Sequence, residues 1–160
     1  NIVDDYSKVC PGQIVDVSIS GVRLARYLDD LAELTGLPEE IVLDNGPEGT
    51  STAMFDWSEK TGVKLRFIEP GKPVQNAFVE SFNSRFRDEC LNQHWFKSIR
   101  HARELIEEWR QHYNTERPHS ALGYQTPEEF LATTTPALWT LAVPAPVLKH
   151  KPENSSSWRP

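Results

Sequence analysis

Between Ser20 and Leu91 the chain switches repeatedly between two hydrophobic periods, and this alternation constrains its fold more than any other feature. Ser20 is placed to cap a helix that carries Leu24, Tyr27, Leu28, Leu31 and Leu34 on one face, with Gly36 as its stop. The short apolar run Ile41, Val42 and Leu43 reads as a strand and ends in Asp44, Asn45, Gly46 and Pro47. Thr50 or Ser51 then caps a helix through Phe55 and Trp57 to Gly62, and residues 63–68 alternate as the next strand. Two prolines and a glycine around Lys72 exclude regular structure over 69–73, after which a helix restarts over 75–91. Ahead of Ser20, residues 2–3 and 14–19 read as two strands of a hairpin with its turn at Pro11 and Gly12. The fold class is therefore α/β.

The last third is helical. Ser98 starts a helix to about Tyr113 with Ile99, Ala102, Leu105, Ile106, Trp109 and Tyr113 on its buried face, and Pro118 ends its reach. Thr126, Pro127 and Glu129 form a complete helix start: an N-cap threonine, proline at the first position and a glutamate three residues after the cap. Beyond Ala132 the sequence holds five prolines and a serine run without a sustained period, so 1–132 is expected to be the folded core and 133–160 an extended or disordered tail that can lie on it through Trp139 and Leu141. Trp95 and Trp109 are read as core residues.

Composition excludes several classes. Cys10 and Cys90 stand far apart without metal-type spacing, the pattern of structural thiols in a reducing compartment. The five histidines show no zinc-like spacing. No apolar run approaches the ~18 residues of a membrane span, and the reading is a soluble, cytoplasmic protein without a membrane partner. Net charge is −6, which taken whole argues against a nucleic-acid partner, yet its distribution along the chain argues for one. Residues 1–59 hold three basic and twelve acidic side chains, whereas 60–100 hold eight basic and four acidic, a local excess of +4. Those cations, Arg85 and Arg87 among them, can neutralise phosphates or simply form a solvated surface.

Two carboxylates invite a chemical reading. Asp44 closes a strand. As turn chemistry it bonds its own backbone beside a Gly46 free to take positive φ; alternatively it occupies the strand's carboxyl end, where open α/β sheets place their sites. On the helix over 75–91, Phe78, Phe82, Phe86 and Cys90 make an apolar i, i+4 stripe, and Asn76, Glu80, Asn83 and Arg87 share a flank beside it. That flank is either the wet side of an amphipathic helix or part of a site. Asp44 and Glu80 are separated by 35 residues, an interval able to bring a strand-end and a helix carboxylate to one sheet edge. Two hard oxygen ligands of this kind suit Mg²⁺.

With these segments placed, the sequence resembles the bacterial insertion-sequence transposases that share the retroviral-integrase type of catalytic core. The resemblance rests on VDDYSK at 3–8, GLPEEIVLDNGPE at 36–48, PGKPVQNAFVESFNSRFRDECLNQHWF at 70–96 and YNTERPHSALGYQTPEEF at 113–130, nearly everything from 1 to about 132. It implies a ribonuclease-H-like core, a mixed sheet flanked by helices, and phosphoryl transfer on DNA with Mg²⁺ or Mn²⁺ held by acids. By the same resemblance Asp44 is the second catalytic acid and metal ligand, Glu80 the third, and Arg87, seven positions on, the basic residue. Lys72, Asn76, Asn83, Arg85 and Arg87 are then the DNA-binding candidates, with element ends and target DNA, and further copies of the chain, as partners.

Two departures shape the expectation. The family's first acid lies upstream of the VDDYS-like segment, just before which this chain begins, so the first strand is expected to be lacking and the segment at 1–9 to be an open edge or to borrow a partner. Asp4 or Asp5 is a poor substitute, since only 38 residues separate Asp5 from Asp44. Gly49 stands where the family carries a large aromatic, which is expected to loosen the helix start beside Asp44. The competing reading is an inactive remnant that binds DNA or a partner subunit.

Overall fold

The computed structural model describes residues 1–69 and 77–134. Lys72, Asn76, Trp139 and most of the tail over 133–160 lie outside the described residues. In chain order the elements are helix α1 (Gly21–Thr35), strand β1 (Glu40–Leu43), helix α2 (Thr52–Thr61), strand β2 (Lys64–Phe67), helix α3 (Ala77–Phe86) running on into a π-helical turn (Arg87–Leu91), helix α4 (Ile99–Glu116), a 3-10 turn (Ser120–Leu122) and helix α5 (Pro127–Thr134). β1 and β2 pair in parallel, Glu40 opposite Lys64 and Leu43 opposite Phe67, with α2 as the crossover. Arg66 reaches back across this pair to Glu40 at 2.8 Å.

Local chemistry sets the helix ends. Ser20 Oγ accepts from the Arg23 N–H at 3.3 Å, and Ser51 Oγ from that of Met54 at 3.4 Å, each satisfying a donor the helix leaves free. Gly36 and Gly62, both at φ 78°, close α1 and α2 by donating to Ala32 O and Ser58 O. The capping box at α5 is reciprocal: Thr126 N–H donates to Glu129 Oε2 at 2.9 Å and Glu129 N–H to Thr126 Oγ1 at 3.2 Å.

Two apolar clusters carry the fold. One joins Leu28 of α1, Met54 and Trp57 of α2 and Val63, with Ile41, Leu43 and Leu65 against it. The other joins Phe82, Phe86 and Cys90 to Ala102, Ile106 and Tyr113 of α4 and to Cys10. Ile2 packs on the first and Val3 on the second, so consecutive side chains at the start of the chain face opposite halves. The second half is clasped by Asn114, whose Oδ1 accepts from Cys10 N–H at 2.9 Å and whose Nδ2 donates to Cys10 O at 3.0 Å; Arg110 adds a bond to the same carbonyl at 2.9 Å.

The amino-terminal hairpin differs from the sequence reading. Among the described residues the backbones of its two arms meet through the bridge between Ile2 and Gly12 and the bond from Asp4 N–H to Val9 O. The turn falls at 4–8 instead of Pro11 and Gly12, because Asp4 Oδ2 accepts from both the N–H and the hydroxyl of Ser7, and Lys8 takes the left-handed φ of 63°. Residues 14–19 are not a strand: Val15 O takes a side-chain donor, Arg103 Nε at 2.9 Å, and Asp16 binds Arg23 and Arg103. Val17 is 90% exposed and Ile19 37%, so the alternation there marks neither a paired strand nor a buried face. Trp95 is a second correction, 94% exposed in the link between the π-helical turn and α4. Leu34 and Ile99 also sit outside the cores.

Replacing Asn114 by alanine removes the acceptor of the buried Cys10 N–H and one of the two donors to its carbonyl at once. Urea unfolding of Asn114→Ala is expected to show a loss of about 2 kcal/mol or more.

Candidate active site

Asp44 stands one residue past the carboxyl end of β1, exposed, in the sharp connection to α2. Its Oδ1 accepts the Gly46 N–H at 3.1 Å, an Asx turn, and Asn45 Nδ2 donates to Ile68 O at 3.1 Å, so the turn after β1 is pinned to the end of β2. Among the described residues Asp44 Oδ2 has no hydrogen-bond partner. Gly46 is not among the positive-φ glycines; what it supplies is room. A Cβ there would stand 3.0 Å from Asp44 Oδ1 and 2.9 Å from Glu48 Oε1, so both carboxylates close over the bare backbone. At Gly49 a Cβ would make ordinary contact at 3.5 Å with Leu43 and with Asp44 O, and the start of α2 beside it is capped and closed, not loosened.

Glu80 lies in the first turn of α3, exposed, without hydrogen bond or ion pair among the described residues. The helix is oriented by Phe82 and Phe86, which are buried and pack edge-on or tilted against Trp109 and Tyr113 of α4 with ring centroids 4.9 to 5.5 Å apart. That packing turns Glu80, Asn83 and Arg87 outward on one flank. Asn83 hydrogen-bonds Asn1, which Gln13 also binds at 2.6 Å. With Asn1 on α3 and Ile2 in the α1/α2 cluster, the first two residues span the halves that carry Glu80 and Asp44. The structure gives these two acids no shared partner, and among the described residues no three His, Cys, Asp or Glu side chains converge as a metal-binding group.

The remaining candidates divide. Arg87 opens the π-helical turn, in which Asn92 N–H bonds Arg87 O five residues back at 2.8 Å. Arg85 falls on the other flank of α3, beside Lys8 and His119. Arg85, Arg87, Lys97 and Arg100 enter no ion pair among the described residues, leaving their charge available. Asp4 is taken up by the hairpin turn and Asp5 by Lys8 at 2.7 Å. Burial pushes the Cys10 thiol up to about 12 and raises that of Cys90, so neither is a ready nucleophile.

Known proteins are similar to this chain over most of its length. Two family models, each named Integrase core domain, match residues 1–73 and 61–127. Over residues 1–127 the chain is similar to the integrase-core family. A 31.7 kDa insertion-element protein of Burkholderia multivorans, itself uncharacterized, is 52% identical over 131 residues, 82% of this chain and 47% of that protein. An uncharacterized insertion-element protein of Xanthomonas euvesicatoria is 48% identical over 131 residues, again 82% of this chain and 38% of its own length. A transposase for an insertion sequence element of Lactococcus lactis is 31% identical over 88 residues, 54% of this chain and 35% of the relative. The chain thus spans less than half the length of these relatives. Among solved structures, the catalytic core domain of BIV integrase superposes with a TM-score of 0.59 at 21% identity, covering 79% of this chain and 80% of that one. A chain of the simian T-cell lymphotropic virus intasome in complex with the PP2A regulatory subunit B56 gamma superposes at 0.62 and 16% identity, covering 97% and 52%. The integrase-core, ribonuclease-H-like fold implied by the sequence is the one observed. No helix among the described residues is long and apolar enough to cross a membrane.

Sequence reasoning assigned no partner to Glu89 or Arg117. Arg117 binds both oxygens of Glu89, joining the π-helical turn to the end of α4, and Trp109 Nε1 donates to the same carboxylate at 3.3 Å. The guanidinium, and less so the indole, hold the Glu89 carboxyl below its usual range. A carboxyl depressed in the folded state stabilises above its unfolded value and loses that contribution as pH falls through its folded one. Acidification from about pH 6 to about pH 3 is expected to cost the wild type more stability than Arg117→Gln, measured by chemical unfolding at each pH.

Proposed function

We propose that this chain is the catalytic core of an insertion-element transposase that cleaves and joins DNA phosphodiesters, with Asp44 and Glu80 holding Mg²⁺ or Mn²⁺. The observation that carries the reading is the placement of Asp44: an exposed carboxylate at the carboxyl end of a parallel strand, one oxygen fixed by the Gly46 N–H and the other without a partner among the described residues. Glu80 supports it, a second hard-oxygen donor that no cation of the described chain neutralises. Their chemistry fits the ion, since Mg²⁺ and Mn²⁺ are bound through a few carboxylates together with substrate phosphates.

When bound, the metal supplies charge to the attacked phosphoryl group and lowers the pKa of a coordinated water or 3′-hydroxyl. The chain's own residues do the positioning. Asp44 is held by its Asx turn and by the tie from Asn45 to β2, which limits its movement as charge develops. Arg87, on the Glu80 flank, meets a phosphate of the same strand, and Asn83 keeps that flank in register with the amino-terminal segment. Lys72 and Asn76 belong to the proposed DNA face by sequence alone. DNA ends and target DNA are the proposed substrates, and self-association through the amino-terminal side is the proposed assembly.

Asp44→Asn and Glu80→Gln are each expected to weaken Mn²⁺ binding in a calorimetric titration. Each should lower metal-dependent nicking of element-end DNA by more than about a hundredfold, because groups one shell beyond a metal already cost about 10- to 100-fold. Arg87→Ala should leave metal binding intact and reduce the salt dependence of DNA binding by about one phosphate contact. DNA binding without metal binding or turnover in a folded wild-type chain would favour the non-catalytic reading.

A further inference from the structure

The segment 113–130 has no part in the proposed metal site, yet it builds a cleft of about 340 Å³ on the flank of α3 opposite Glu80. Lys8 from the hairpin, Arg85 from α3, and Tyr113, His119 and Tyr124 line it. Three features mark it as more than a packing gap.

Its charge is cationic. Arg85 has no ion pair among the described residues, and Lys8, 4.1 Å above the Phe78 ring, is paired only with the solvent-exposed Asp5. Burial first, and then the charges of Arg117, Arg85 and Lys8, hold the His119 imidazole below its ordinary range, so it is neutral at physiological pH.

One of its polar groups is unspent. Tyr113 is 1% exposed and edge-on to the His119 ring at 5.2 Å, and the buried His119 Nε2 has no hydrogen-bond partner among the described residues. A buried polar group left so calls for a ligand or water.

Its mouth holds an exposed ring on a strained backbone. Tyr124 is 77% exposed at φ 66°, a region bulky side chains avoid. The strain is held by the bridge between His119 and Gln125 and by the bond from Tyr124 N–H to His119 O at 2.9 Å. A tyrosine fixed this way with most of its surface open to solvent behaves as a presented surface, and strain of this kind gathers at ligand clamps.

We propose that this cleft binds one unpaired nucleotide of a DNA strand, its base stacked on Tyr124 and its phosphate held by Arg85 and Lys8. A flat exposed aromatic beside Arg85, which has no ion pair among the described residues, and Lys8, whose one acidic partner is the exposed Asp5, matches a base and its phosphate. A concave site of this size excludes a base pair and admits a single splayed base. This inference rests on the reading of the chain as a DNA enzyme and names the strand element that its second face holds. The aromatic and cationic groups sit across α3 from Glu80, so the nucleotide they hold is not the one being cleaved.

The test is fluorescence anisotropy with a labelled oligothymidylate about ten nucleotides long and an abasic strand of equal length, with folding checked by circular dichroism melting. Tyr124→Ala is expected to weaken oligothymidylate binding about tenfold and leave the abasic strand unchanged; Tyr124→Phe retains binding, and Arg85→Ala weakens both strands. The proposal is overturned if Tyr124→Ala binds oligothymidylate like the wild type, if it loses both strands equally, or if polyglutamate displaces the strand while thymidine monophosphate does not. Intact nicking with no Tyr124 effect would sink the cleft alone, and a Tyr124 effect without metal-dependent nicking would sink the enzymatic reading alone.

Discussion

The backbone of Cys10 is buried where the amino-terminal hairpin meets α4, and its amide and carbonyl have no strand to pair with. Asn114 supplies both partners from one side chain, and Arg110 adds a third bond to the carbonyl. A buried amide unit left bare costs more than an ordinary hydrogen bond returns, so this clasp decides whether the hairpin docks at all. Once it docks, Ile2 and Val3 face opposite clusters, and Asn1 reaches Asn83 on α3. The placement of Glu80 relative to the strand-end turn therefore runs through the first residues of the chain, not through direct packing of the two acids.

Helix α3 separates two chemistries. One flank presents Glu80, Asn83 and Arg87; the other presents Arg85 to the cleft built by 113–124. The π-helical turn after Phe86 and the Glu89–Arg117 pair hold the far end of this helix to α4. An exposed ion pair contributes little to stability by itself, but its two-pronged geometry orients the loop that carries His119 and Tyr124.

The sequence made much of this legible, and its failures have physical reasons. Caps at Ser20, Ser51, Ser98 and Thr126, and stops at Gly36 and Gly62, were readable because each depends on side chains within four residues. The core stripe Phe82, Phe86 and Cys90 was readable from helical period. Residues 14–19 were misread because alternation over a few residues does not say whether either face is covered or what satisfies the backbone; Val17 and Ile19 are exposed. The hairpin turn was misplaced because Pro11 and Gly12 carry a stronger turn signal than Asp4 and Ser7, whose side chains close the actual turn. Trp95 was misread because a tryptophan's usual burial says nothing about a link between two helical segments.

By itself the sequence determined the class of fold, the ends of its helices, the strand-end position of Asp44 and the outward flank of Glu80, since local periodicity and capping chemistry encode all of these. Tertiary structure alone decided which half of the molecule each acid belongs to, that Gly46 serves by its missing Cβ and not by positive φ, and that Arg85 faces away from Glu80. It also brought Lys8, Arg85, His119 and Tyr124, up to 116 positions apart, around one cleft. Such convergence comes from side chains packing across distant segments, and no window of neighbouring residues contains it.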